Sequence, residues 1–125
     1  MYHSFEELEV WKRSSRIAVR IYEVTRGNFD RGLKNQMTRA AVSVVSNIAE
    51  GAEWNSSKEF VRYLHIAKGS AAELRTQVYI AFKIGLLTKN TKEELVGELL
   101  EISKMLFGLA QSLKTAPLQT SSLKN

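Results

Sequence analysis

The chain has 125 residues, 44% of them hydrophobic and 25% charged, which suits one globular domain and excludes wholesale disorder. It holds no cysteine, which excludes a disulfide scaffold, a zinc–thiolate site, an iron–sulfur cluster and a cysteine nucleophile. The net charge of +5 is unevenly placed: residues 10–49 carry eight Lys/Arg against Glu23 and Asp30 alone, and the rest of the chain is slightly negative.

No run of 18 apolar residues exists, and the start, Met1 to Glu7, is polar and acidic rather than a signal peptide. A cytoplasmic protein without a membrane segment is expected. Four helices are predicted. The first runs from about Phe5 to Thr25, with two apolar rows: Leu8, Trp11, Ser15, Ala18, Tyr22 and Val10, Ser14, Ile17, Ile21, Val24. Gly27 to Asp30 break it, and Asp30 can cap the next helix.

Helix two, about Arg31 to Glu50, lines up Leu33, Met37, Ala40, Val44 and Ile48, with Gly51 placed as a left-handed residue past its end. Helix three, about Ser57 to Ile84, has the seam Phe60, Leu64, Ala67, Ala71, Leu74, Val78, Ala81, alternating by four and three. Helix four, about Thr91 to Lys114, has the seam Leu95, Leu99, Ile102, Leu106, Leu109, Leu113. Ser4-Phe5-Glu6-Glu7, Ser56-Ser57-Lys58-Glu59 and Thr91-Lys92-Glu93-Glu94 all fit the capping box. Long helices with short connections predict an all-α, antiparallel up-down-up-down four-helix bundle over residues 1–114. The Ser/Thr-rich residues 115–125 form a tail expected to be disordered.

Polar constellations are sparse. The Glu-x-x-His pairs of a di-iron bundle are absent, with Arg62 standing three residues before His65. A Ser-His-Asp triad would have to use His65 and Asp30 without any G-x-S-x-G elbow. The run Gly27 to Lys34 has Leu33 where a phosphate loop needs lysine. No catalytic residue, metal site or cofactor is expected, so the chain is read as a non-enzyme.

Two other groups stand out. Lys12, Arg16 and Arg20 are four apart on one helix face, with Arg13 beside them, a stripe that can neutralise backbone phosphates of RNA or DNA without reading sequence. Ser43, Asn47 and Glu50 edge the apolar face of helix two, and with Glu73 they are expected to form a structural hydrogen-bond network. Beyond the seams, Val96, Leu100 and Phe107 on helix four and Tyr63, Ile66, Ile80 and Ile84 on helix three make the apolar stripes wider than one bundle needs. That surplus predicts an oligomer interface.

Phe5-Glu6-Glu7-Leu8-Glu9-Val10-Trp11, Gly32-Leu33-x-x-Gln36-x-x-Arg39-Ala40-Ala41-Val42-Ser43, Asn47-Ile48-Ala49-Glu50-Gly51 and Gly69-Ser70-Ala71-Ala72-Glu73-Leu74 resemble a bacterial four-helix-bundle family. It is the family encoded by reading frames in intervening sequences of 23S ribosomal RNA genes. Thr38 departs from the paired basic residues usual before the alanines. The resemblance implies a ring oligomer, often a homopentamer, with no established enzyme activity. It also implies similarity to accessory proteins of diversity-generating retroelements, which work beside a reverse transcriptase on RNA and DNA. The expected function is a basic oligomeric accessory or scaffold factor that binds nucleic acid through Lys12, Arg13, Arg16, Arg20 and Arg39. The alternative is a protein–protein interaction module whose charge matches an acidic partner.

Overall fold

A computed structural model of the chain describes residues 4–115. A short 3-10 turn, Phe5–Glu7, leads into α1 (Glu9–Val24), α2 (Arg31–Glu53), α3 (Ser57–Lys83) and α4 (Lys89–Thr115), and the described residues contain no strand. Cross-helix contacts fix the directions. Ser43 on α2 meets Ser70 on α3, and Arg13 and Arg20 on α1 meet Glu98 and Glu94 on α4 in reversed order. Lys68 on α3 covers Phe107 of α4, whereas Lys92 of α4 covers Phe82 of α3. The four helices thus alternate in direction, the all-α bundle that short connections favour.

Periodicity decides the core. The α3 seam from Phe60 to Ala81 is buried at every position, joined by Gln77. On α1 the row Val10, Ser14, Ile17, Ile21 is buried together with Ala18, whereas Tyr22 of the other row is exposed. On α4, Val96 and Ala110 enter the core beside Leu95, Leu99, Ile102 and Leu106, while Leu109 and Leu113 are only half-buried. Phe5 packs its ring edge-on against Trp11, 5.3 Å between centroids, and so seats the 3-10 turn on α1.

Helix ends match the expectation in part. Asp30 Oδ1 accepts from the Leu33 amide at 2.8 Å, and Ser56 Oγ accepts from the Glu59 amide at 3.2 Å. Two boxes are corrected. Ser4 caps no amide and instead donates to the Glu6 carboxylate, so the α-helix proper starts only at Glu9. The cap of α4 is Thr88, whose Oγ1 accepts from the Thr91 amide at 3.1 Å; Thr91 already lies inside the helix. Gly85, with φ of 84°, ends α3 as a residue that tolerates the left-handed region.

Gly51 is the larger correction. It lies within α2, buried, not beyond its end. A Cβ placed there would stand 2.5 Å from Tyr63 Cβ and 3.1 Å from Phe60 Cδ1. The glycine serves the close approach of α3, not a turn. Thr115 closes α4, and the remaining tail residues, 116–125, lie outside the described residues. No helix among the described residues is long and apolar enough to cross a membrane.

Candidate nucleic-acid interface

Helix α1 presents its basic stripe along the open groove it shares with α4. The groove encloses about 510 Å³ and is lined by Arg13, Arg16, Ile17, Arg20, Glu94, Leu95 and Glu98. Arg13 donates from Nε and Nη2 to the two Glu98 oxygens at 2.8 and 2.7 Å. Arg20 donates in the same forked way to Glu94, at 2.8 and 3.0 Å, with Glu23 at 3.5 Å. A planar guanidinium suits this two-point pairing with a carboxylate. Arg16 lies 3.8 Å from Glu9 with both side chains well exposed, and Lys12 faces water. The stripe is therefore half committed: two of its arginines clamp α1 to α4, and Lys12 and Arg16 stay accessible. Arg39 sits apart, exposed on α2, between a groove shared with Tyr22 and another shared with Glu73.

The clamps carry a pH signature. Hydrogen bonding to Arg13 holds the Glu98 carboxyl below its ordinary range, against an opposing desolvation, and Arg20 does the same for Glu94. A carboxylate depressed in the folded state stabilises the fold above its unfolded pKa of about 4.3, and this is lost as pH falls through the depressed value. Glu98→Gln is expected to lower the melting temperature at pH 7, by an amount that shrinks as pH falls below the unfolded pKa of about 4.3. A gap that stays constant across that range would contradict the clamp.

The expected polar network is real in its α2 half and corrected in its partners. Asn47 Nδ2 donates to the Ser43 carbonyl at 2.8 Å and to Ser43 Oγ at 3.1 Å, and Ser43 Oγ lies 2.9 Å from Ser70 Oγ on α3. Ser70, not Glu73, is the partner across the helices. Glu50 and Glu73 are exposed and stand outside the network. The close α2–α3 approach leaves room for short hydroxyls, and water solvates the carboxylates at lower cost. Thr38, the departure from the basic pair, is buried, and its hydroxyl donates to the Lys34 carbonyl at 2.9 Å. A charge has no place there.

The surplus apolar residues divide. Val96 is only 8% exposed and belongs to the chain's own core, which corrects its assignment to an interface. Tyr63 is half-buried beside Gly51, under the Arg62 guanidinium. Ile66, Ile80 and Ile84 are exposed along the α2 flank of α3. Leu100 and Phe107, 43% and 50% exposed, lie on the α3 flank of α4.

The model of one protein family, described as "23S rRNA-intervening sequence protein", matches residues 6–108. The chain belongs to that family. Among solved structures, the chain is similar to a protein from Bacteroides thetaiotaomicron VPI-5482, described as a protein of unknown function from the S23 ribosomal protein family. The identity is 24%, the match covers 81% of this chain and 97% of that one, and the TM-score is 0.76. At that identity the likeness shows the fold. No match was found among the curated proteins. Sequence reasoning missed the acidic half of the α1–α4 clamp, Glu94 and Glu98. Their spacing of four on one helix, facing arginines spaced seven apart, was the available signal.

Proposed function

We propose that the protein is a non-enzymatic, oligomeric accessory or scaffold factor that associates with RNA or DNA through phosphate contacts. The observation that carries this is the surplus of exposed cations. Of the eight basic residues between positions 10 and 49, Arg13 and Arg20 alone are held in forked ion pairs, and Lys12, Arg16, Arg26, Arg31 and Arg39 stay exposed. Exposed lysines and arginines on a rigid scaffold release counterions when they meet phosphates, and this supplies sequence-independent affinity. The groups that could have served catalysis are engaged or isolated. Asp30 caps α2, and His65 stands exposed on α3.

Two apolar strips support self-association. The α3 strip (Ile66, Ile80, Ile84) and the α4 strip (Leu100, Phe107) are different surfaces, as a head-to-tail ring requires, since each copy must offer two unlike faces. Gly97 and Gly108 flank Leu100 and Phe107 on α4, and among the described residues nothing lies within 4 Å of where their Cβ atoms would be. A glycine in a helix interior costs roughly 0.5–1 kcal/mol against alanine, and close approach by a neighbouring copy gives that cost a purpose. A homopentamer rests on the family resemblance. A ring repeats its cations by symmetry and converts weak phosphate contacts into avidity. A reverse transcriptase or another acidic protein is the protein partner that fits such a scaffold.

Purification from native cells at low salt, followed by sequencing of the nucleic acid that comes with the protein, tests the proposal. Nucleic acid of mixed sequence, shed at high salt, is the expected result. A preparation that carries none, at a salt concentration where phosphate contacts are strong, overturns it.

A further inference from the structure

The fold gathers charge in a way the linear sequence conceals. Because neighbouring helices are antiparallel, the α1–α2 turn and the α3–α4 turn close the same end of the bundle. Phe29 from the first and Leu87 from the second pack onto one hydrophobic core and seat both turns there. Around them stand Arg26, Arg31 and Lys34 from the first turn and Lys83, Lys89 and Lys92 from the second. No carboxylate of the described residues lies within 4 Å of any of these six charges. The acids nearby are mostly engaged: Asp30 is a helix cap, Glu94 and Glu23 pair with Arg20, and Glu93 remains.

At the opposite end the balance reverses. Toward that end the N-terminal turn carries Glu6 and Glu7 and the α2–α3 connection is flanked by Glu50, Glu53 and Glu59, against Lys58, Arg62 and, near the end of α4, Lys114. Among the described residues, charge is thus polarised along the bundle axis, positive at one end and slightly negative at the other. Such a field orients a polyanion toward the positive end and away from the other before contact.

We infer that the cationic end, formed by the α1–α2 and α3–α4 turns, is where the backbone of a nucleic-acid duplex docks. This rests on the nucleic-acid reading proposed above and assigns it a place. Packed helices lie about 8–10 Å apart, so the two turns offer two rows of cations at about that separation. Two rows at that spacing contact several backbone phosphates of one duplex at once, an attachment that does not depend on base sequence. Arg31 and Lys89 are the first residues of α2 and α4, so their side chains leave the bundle at its rim rather than along its sides. Lys12 and Arg16, lower on α1, stand outside this surface.

The test compares two variants by fluorescence anisotropy with a 20-base-pair RNA duplex across a salt series. One is Arg26→Gln/Arg31→Gln/Lys89→Gln at the end; the other is Lys12→Gln/Arg16→Gln on the stripe. Neither touches Asp30 or Thr88, so the caps persist, and circular dichroism verifies the helices. Loss of three phosphate contacts lowers the slope of log affinity against log salt by about three. At about 50 mM salt the end variant is expected to bind at least tenfold more weakly, with the stripe variant weakened less than the end variant. An end variant that binds as wild type does, while wild type binds well, overturns the assignment of the end and leaves the nucleic-acid reading standing. Absence of binding by wild type overturns both. Binding of wild type to poly-glutamate instead of RNA, abolished in the end variant, makes the partner an acidic protein and also overturns the inference.

Discussion

Gly51→Ala is expected to destabilise the bundle by roughly 2 kcal/mol. Alanine is the better helix former, by about 1 kcal/mol in an open helix. Here that gain is overwhelmed, because the new methyl would lie 2.5 Å from Tyr63 Cβ and 3.1 Å from the Phe60 ring. Tyr63 Cβ is fixed to the α3 backbone and cannot swing aside, so α2 and α3 must separate. The separation would also stretch the Ser43–Ser70 contact two turns away. For a domain of this size the melting temperature should fall by roughly 10 °C. Thermal denaturation followed at 222 nm measures it, and an unchanged or raised melting temperature would show that the helices do not pack at Gly51.

Phe107→Glu with Leu100→Glu is expected to reduce the solution mass to that of one chain while leaving the helical content intact. Both side chains are exposed in the single bundle, so charge there costs the monomer little. At an interface the same charges would be buried without partners, at a cost of several kcal/mol. Gly108→Ala gives an independent reading of the same surface. In a monomer the added methyl meets nothing and should stabilise the helix by about 0.5–1 kcal/mol. Where a second chain packs closely, it should weaken assembly. Multi-angle light scattering on wild type and variants separates the cases. A wild type that is monomeric at micromolar concentration would end the oligomer proposal.

Local pattern was legible in the sequence, and relations between distant residues were not. The α3 seam could be read completely because burial follows a strict four–three alternation from Phe60 to Ala81. The start of α4 was misplaced because Thr88 and Thr91 both satisfy the cap pattern, and only the backbone decides that Thr88 caps. Gly51 was ambiguous in principle: a glycine near a helix end serves either a left-handed turn or a close neighbour, and the neighbour, Tyr63, lies on another helix. The basic stripe on α1 was correctly placed on one face. Its neutralisation by Glu94 and Glu98 depends on partners 74 and 85 residues away. Lys83, Lys89 and Lys92 lie far from the basic segment in sequence, and the fold alone sets them beside Arg26 and Arg31. Val96 shows the converse. A helical row adjacent to a seam looks like a second face, yet in a four-helix bundle its members can turn into the same core.

The affinity of the wild-type protein for a structured RNA, measured across a salt series from about 50 to 200 mM, is the most direct test of its proposed role. If the protein works through phosphates, binding is tight at the low end, falls by roughly a thousandfold or more over that range when six or more contacts form, and is indifferent to sequence. No measurable affinity at about 50 mM, or an affinity that ignores salt, would contradict it.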